Sequence, residues 1–209
     1  MGVLASIHRN TNTNVMIDFK DRLTQKEKRI LIAEWPRLMK RNPDLFRTVW
    51  LKAVERSTAI KRIFGIADGE KPEHNKSFMR LITAVHAFFN DVILTHRLDD
   101  NTVSTVCTQL GARHLTFRQR GFQAMFWDIF MVCMNDVITE TLSAYMSGSQ
   151  RVMTIYAYHR LVHLIVEHMR NGYMFRRRSA TSDISDAYIL DNKTPSENEL
   201  SVYSSFSQT

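Results

Sequence analysis

The feature that most constrains the fold is the spacing of apolar residues, which recur three or four positions apart through most of the chain. No stretch alternates apolar with polar residues over the length of a strand. Glycine (7) and proline (4) are scarce for 209 residues, which disfavours a fold rich in turns. Because a period near 3.6 residues places apolar side chains on one helical face, we expect an all-α protein.

Three sequence signals predict where helices begin or bend. Thr24 and Glu27 form a capping box ahead of the first apolar series, in which Pro36 is expected to bend the helix. Asn42, followed by a proline, is typical of an N-cap for the second helix. Thr116 opens a second capping-box pattern, and the last apolar series is expected to end near Gly172.

Charge is distributed unevenly along the chain. Residues 179–209 contain five acidic side chains and one lysine, so they carry −4 of a total formal charge of +7, and the rest of the chain carries +11. Most basic residues in the body alternate with acidic ones, and no aromatic stacking platform accompanies them, which argues against a nucleic-acid partner. The two cysteines, Cys107 and Cys133, are too few for a disulfide framework and indicate reduced thiols.

The N-terminal sequence fits an N-myristoylation signal. Met1 is followed by Gly2, whose amine would be acylated after Met1 is removed, and Ser6 occupies the second recognition position. This pattern predicts a protein at the cytoplasmic face of a membrane, in the first instance the plasma membrane, with a fraction remaining in the cytoplasm.

One myristoyl chain binds a bilayer only marginally, so a second membrane signal is expected. The basic cluster Arg176, Arg177 and Arg178 is one candidate, although a solvated helix end explains it equally simply. A phosphate on Ser179 would oppose membrane attachment. We expect a flexible extension over residues 1–22, a helical domain over 23–175, and a basic cluster with a disordered acidic tail over 176–209.

The order of these helices resembles the globin family, and nematode-type globins in particular, over residues 23–173. The resemblance implies a three-over-three helical sandwich that binds haem b (iron protoporphyrin IX). It depends on motifs that are weak singly and specific in this order and separation. They are Trp35, Asn42-Pro43, Ile63-Phe64-Gly65, Phe78, Val85, Leu98-Asp99-Asp100, Leu110-Gly111-Ala112-Arg113-His114 and Met169-Arg170-Asn171-Gly172-Tyr173.

The resemblance also assigns candidate haem contacts. His114 matches the proximal iron ligand, and a neutral imidazole suits haem iron if its other ring nitrogen has an acceptor. Phe64 matches the phenylalanine at the porphyrin edge, and Val85 the apolar residue above the iron. The remaining expected pocket residues are Trp50 on the distal side and Phe117 and Phe122 on the proximal and interior sides.

The chain departs from the family pattern at the distal position. In the register set by the apolar residues of the distal helix, Leu81 stands where a histidine is usual, and leucine cannot donate a hydrogen bond to a gas ligand. His86, 28 residues before His114, is the alternative: a slip or local unwinding would bring it over the iron as a sixth ligand. That register would place the polar Asn90 and Asp91 against the porphyrin, which is costly.

Three interpretations remain open at this point, of which the third is a helical adaptor at the membrane that holds no cofactor. A lipid anchor suits a haem protein that passes electrons or a redox signal to a membrane partner better than it suits bulk oxygen storage. The alternative is a sensor or carrier of oxygen or nitric oxide, for which an apolar distal site would favour nitric oxide or carbon monoxide. The sequence shows no reductase domain, so an enzymatic activity is not expected without an external electron source.

Overall fold

The computed structural model describes residues 22–187, with side chains described to residue 176, and the regular secondary structure of this part is entirely helical. Seven α-helices follow one another in these residues. Their bounds are α1 Gln25–Arg41, α2 Leu45–Arg56, α3 Thr58–Ile63, α4 Lys76–Asn90, α5 Asp100–Arg113, α6 Phe126–Ser143 and α7 Gly148–Ala187. The prediction of an all-α fold is confirmed.

Helix α1 begins as the sequence predicts. The Thr24 hydroxyl accepts a hydrogen bond from the backbone N–H of Glu27, and the Glu27 carboxylate accepts one from the backbone N–H of Thr24, so the capping box is complete. The helix continues through Pro36 to Arg41. Its buried face centres on Trp35, which lies against rings of α2, α4 and α7.

The prediction that Asn42 caps α2 is wrong. Asn42 instead ends α1, with its backbone N–H donating to the carbonyl of Leu38, and its side-chain amide donates to the Thr141 hydroxyl on α6 at 2.9 Å. Helix α2 begins three residues later, at Leu45, after Asp44. The asparagine side chain therefore serves a contact between helices, which a local capping pattern cannot reveal.

The second predicted capping box is also absent. Directly after α5 the chain enters a 3₁₀ helix, His114–Arg120, and α6 begins only at Phe126. The Thr116 hydroxyl donates to the carbonyl of Arg113 at 2.8 Å instead of accepting from a later N–H. Gly121, with a φ of 91°, ends the 3₁₀ helix in a conformation that glycine adopts readily.

Helix α7 does not end near Gly172 but continues to Ala187, across the expected domain boundary at 175/176. Gly172 has a different role, because a Cβ there would lie 1.9 Å from the carbonyl oxygen of Thr108. Gly111 on α5 is in the reciprocal situation, with a Cβ placed 1.8 Å from the carbonyl oxygen of Met169. The two glycines let the backbones of α5 and α7 come into contact at their crossing.

Helix α4 and the π-helical turn that follows it, Asp91–Thr95, form one continuous distal element. By length and composition alone, Lys76–Thr95 could cross a membrane. Its inner face, however, buries Phe78, Phe89 and Ile93 in the protein core, as expected of an amphipathic core helix.

Both cysteines are buried free thiols, and burial raises the pKa of Cys107 to about 12.

Candidate functional site

His114 is held at the junction of α5 and the 3₁₀ helix that follows. Its Nδ1 lies 2.8 Å from the carbonyl oxygen of Leu110, one turn earlier, and a carbonyl can only accept. Nδ1 therefore carries the proton, and Nε2 is left with a lone pair. Within residues 22–176, no hydrogen-bond donor is found for that second nitrogen.

The surroundings of His114 keep the imidazole neutral. The ring is half-buried, and burial lowers its pKa below the ordinary value of 6.5, with the positive charge of Arg113 acting in the same direction. The hydrogen bond to Leu110 opposes this shift but is the smaller effect. A neutral imidazole with a fixed tautomer and a free Nε2 is the form that ligates a metal.

An aromatic wall surrounds the His114 ring. Phe117, Phe122 and Trp127 have ring centroids 5.6, 5.1 and 5.3 Å from it. Tyr173 on α7 continues the wall, because its ring lies 5.6 Å from that of Trp127. Phe117 and Phe122 were expected beside His114, whereas Trp127 was missed because it lies 13 residues further along the chain.

Phe64 is fixed to the start of α4 by one asparagine. The Asn75 side chain donates to the carbonyl oxygen of Phe64 at 3.0 Å and also accepts from the backbone N–H of Phe78 as the N-cap of α4. The half-buried Phe64 ring meets the Phe78 ring edge-on at 5.6 Å. The distal helix and the expected porphyrin-edge phenylalanine thus form one unit.

The two candidate distal residues lie on different edges of α4. Leu81 and Val85 share one edge and are half-buried, together with Phe88, which sequence reasoning missed. Five residues of helix separate His86 from Leu81 by roughly 140° around the axis. The His86 ring stacks on Phe46 of α2 at 5.5 Å.

The far edge of α4 is committed to core contacts. Phe46 is buried and also contacts Phe89. On the same edge as His86, Asn90 accepts a hydrogen bond from the indole N–H of Trp35 at 2.6 Å. This edge therefore faces α1 and α2.

Trp50 on α2 connects to His114 through α6. Its ring lies 5.2 Å from Phe130, which is three residues, or nearly one turn, after Trp127. Trp127 contacts His114, so one face of α6 carries both contacts. The indole nitrogen of Trp50 is buried and has no hydrogen-bond partner among the described residues.

These residues fit the requirements of a haem. The histidine is prepared for iron, its walls are aromatic or aliphatic, and Leu81 and Val85 offer no charge to the porphyrin. Within the described residues, no group of three or more histidine, cysteine, aspartate or glutamate side chains could hold a bare metal ion. A single histidine in an apolar setting would suit an iron whose remaining ligands are supplied mainly by a macrocycle.

The class of protein defined by this fold and site is an all-α haem-binding protein. The family model described as Globin matches residues 47–165, more than half of the chain, and the chain belongs to the globin family. Membership supports binding of haem and of gas ligands. The chain is also similar to globin-related protein glb-13 of Caenorhabditis elegans, at 24% identity over 154 residues. That match covers 72% of this chain and 52% of the relative, so the chain spans about half of the relative's length.

Proposed function

We propose that this globin holds haem b through His114 and acts in electron transfer or redox signalling at a membrane to which Gly2 is tethered by myristate. The observation that carries the haem assignment is the 2.8 Å contact between Nδ1 of His114 and the carbonyl of Leu110. It leaves Nε2 free for iron in a fixed orientation.

Each side chain of the site would have a separate role in binding the haem. His114 supplies the proximal ligand, and Phe117 and Phe122 exclude water from its ring. Phe64, held by Asn75, covers the porphyrin edge. The haem, when bound, supplies an iron centre that changes oxidation state or takes a diatomic ligand.

The apolar distal edge favours redox work over oxygen storage. Neither Leu81 nor Val85 can donate a hydrogen bond, so polar stabilisation of oxygen from this edge is lacking. His86 remains the rival sixth ligand, but it would have to leave its stack on Phe46 and rotate around the helix. We propose that no side chain of α4 occupies the sixth position.

An absorption spectrum of the reduced protein separates these possibilities. We expect a five-coordinate, high-spin ferrous spectrum that is unchanged by His86→Ala. A six-coordinate, low-spin spectrum that disappears in His86→Ala would select bis-histidyl ligation instead. Failure of the purified chain to give a Soret band with added haem would contradict the haem assignment altogether.

Two features support the membrane assignment. Gly2 and Ser6 match the acylation pattern but lie outside the described residues. Beyond Tyr173, α7 leaves the globin body with Met174 and Phe175 exposed, the latter at 75%, and Arg176 follows them. Exposed apolar side chains beside basic ones suit an anionic bilayer surface.

Fractionation tests the tether. In cells, Gly2→Ala should move the protein from the membrane fraction to the soluble fraction, while Ala5→Gly in the same segment should not. An unchanged membrane fraction in Gly2→Ala would count against myristoylation.

The second candidate function is sensing of nitric oxide or oxygen. It is favoured by one observation, the buried indole N–H of Trp50, which has no partner among the described residues and lies on the distal side expected from the resemblance. Rapid reduction of an external acceptor on vesicles would support electron transfer. Tight gas binding without such exchange would support sensing.

A further inference from the structure

A groove runs between α1 and the beginning of α7, away from the residues assigned to haem. It has a volume of about 320 Å³, and most of its lining surface is apolar, with Ile30 and Ala33 on one side and Met153 on the other. The polar residues Glu34, Gln150 and Thr154 also line it. Lys26 and Arg29 stand at its rim. Nothing in the haem assignment uses this groove.

The groove begins where the N-terminal segment joins the described chain. The carbonyl of Arg22 accepts a hydrogen bond from the Arg160 side chain on α7, and Lys26, the first groove residue, follows within one turn of α1. Glu27 pairs with Arg160 at 3.2 Å. The described chain therefore begins beside α1 and α7, the two helices that form the groove.

We infer that this groove holds the myristoyl chain of Gly2 when the protein is away from a membrane. The inference rests on the myristoylation proposed above. Twenty residues separate Gly2 from Arg22 and can span about 70 Å when extended. This span is long enough to bring the acyl chain to the groove. The groove runs about 10 Å along α1, from Lys26 to Ala33, which is shorter than an extended myristoyl chain, so the groove covers part of the chain.

Because the acyl chain binds a membrane only weakly, it can exchange between the bilayer and the groove. We call this exchange the switch. A bilayer holds a single myristoyl chain only marginally, so an apolar groove on the same molecule can compete with it. Attachment to the same chain replaces a diffusional encounter by a high effective concentration. Met153, in the groove wall, is exposed, as are Val152 and Tyr156 on the same helix, so α7 offers further apolar surface for the chain to cover.

The basic residues at the rim of the groove favour release of the acyl chain at an anionic membrane. The side chains of Arg22, Lys26 and Arg29 are exposed on the side where the segment emerges. An anionic bilayer attracts this side and thereby brings the groove next to the lipid that receives the released chain. Release is thus expected to be favoured by phosphatidylserine more than by phosphatidylcholine.

The test uses full-length, haem-loaded protein acylated by co-expressed N-myristoyltransferase with a myristate analogue that has a diazirine at its end. Mass spectrometry first confirms the acyl group on Gly2. Irradiation without vesicles should label peptides containing residues 26–33 or 150–154. Ala33→Trp fills the groove and should abolish this labelling, whereas Ala87→Trp, on the solvent face of α4, should not.

Vesicle binding gives an independent readout. If about two thirds of the acyl chains occupy the groove, Ala33→Trp should raise the affinity for phosphatidylcholine and phosphatidylserine vesicles about threefold. Met153→Glu, which places a charge in the groove, should act in the same direction. Thermal unfolding checks that each variant remains folded.

The outcomes separate the groove from the tether. Acylated protein that is labelled elsewhere, or whose variants bind vesicles as the parent does, would overturn the groove assignment and leave the tether intact. Labelled dimers would assign the groove to the acyl chain of a second copy and also overturn the inference. Absence of any acyl group on Gly2 would overturn tether and groove together.

Discussion

Gly111 on α5 lies so close to Met169 on α7 that a Cβ at Gly111 would be 1.8 Å from the Met169 carbonyl oxygen. The obstructing atom belongs to the backbone and cannot rotate away. Gly111 is also three residues before His114, whose position therefore depends on this helix crossing. The close approach of two backbones thus links the packing of the fold to the orientation of the candidate iron ligand.

We predict that Gly111→Ala lowers the free energy of unfolding by about 1–3 kcal/mol, the usual cost of overpacking a close contact. Separation of α5 from α7 should also move His114 and speed haem loss to an apomyoglobin acceptor. Urea unfolding and haem-transfer kinetics measure the two effects. Arg113→Ala, an exposed change on the same helix, should stay within about 0.5 kcal/mol. Equal behaviour of the two variants would contradict this role for the crossing.

Protonation of His114 should weaken the apoprotein in acid. Burial lowers the pKa of His114 in the folded state, so between pH 6.5 and that lowered pKa the unfolded chain binds a proton that the folded chain does not. Stability is thus unaffected by this group well above pH 6.5 and falls as the pH drops below it. Urea midpoints of the apoprotein between pH 8 and pH 5 measure the effect.

The matched variant is His114→Gln, which keeps a polar side chain without titrating. We expect its urea midpoint to fall less steeply below pH 6.5 than that of the parent. His159→Gln, which alters a histidine hydrogen-bonded to the Thr139 hydroxyl, serves as the control. Parallel curves for the parent and His114→Gln would refute the assignment of this pH dependence.

The fold could be predicted from the sequence because apolar periodicity reports burial directly. In α1, for example, the buried residues Leu31, Trp35 and Leu38 recur three or four positions apart. Helix ends were predicted less well. Asn42, Thr116 and Gly172 each match a local pattern for a helix end, but each has another role in the structure. The side chains of Asn42 and Thr116 make other hydrogen bonds, and Gly172 allows a close approach of two helices.

In the candidate site, too, local contacts could be predicted from the sequence, whereas contacts between helices could not. The Leu110 carbonyl lies one turn before His114, so its contact is local and the Leu110-His114 spacing anticipates it. Trp127 reaches the His114 ring from α6, and Tyr173 on α7 packs against Trp127. No pattern within a short stretch of sequence reveals such partners. The orientation of His86 could not be predicted either, because the ring stacks on Phe46, which lies 40 residues earlier in the chain. This contact turns the His86 edge of α4 towards the core.

A donor introduced on the distal edge should restore oxygen stabilisation. We predict that Leu81→Gln slows oxygen dissociation from the reduced, haem-loaded protein about tenfold, the equivalent of one hydrogen bond of roughly 1.4 kcal/mol. Thr83→Gln, on the exposed side of α4, should leave the rate unchanged. Flash photolysis and stopped-flow mixing measure it. A response to Thr83→Gln instead would mean that α4 is rotated relative to the proposed register.

Two tryptophans differ in the state of their indole N–H. That of Trp35 donates to Asn90 at 2.6 Å, whereas that of Trp50 is buried without a partner among the described residues. Trp35→Phe leaves both a cavity and an unpaired amide oxygen, so we predict a loss of about 3–5 kcal/mol in the free energy of unfolding. Trp50 is only half-buried, and Trp50→Phe also removes an unsatisfied donor, so its loss should be smaller by about 1–3 kcal/mol.

The same pair tests whether Trp50 faces a gas ligand. The stretching frequency of carbon monoxide on the reduced, haem-loaded protein responds to a nearby hydrogen-bond donor, because the donor's positive end polarises the ligand. Trp50→Phe should shift this band in the infrared spectrum, and Trp35→Phe should not, since its N–H is already committed to Asn90. A band unmoved by Trp50→Phe would place the indole N–H away from the ligand. The distal pocket would then lack a donor from α2 as well as from Leu81, which favours electron transfer over gas sensing.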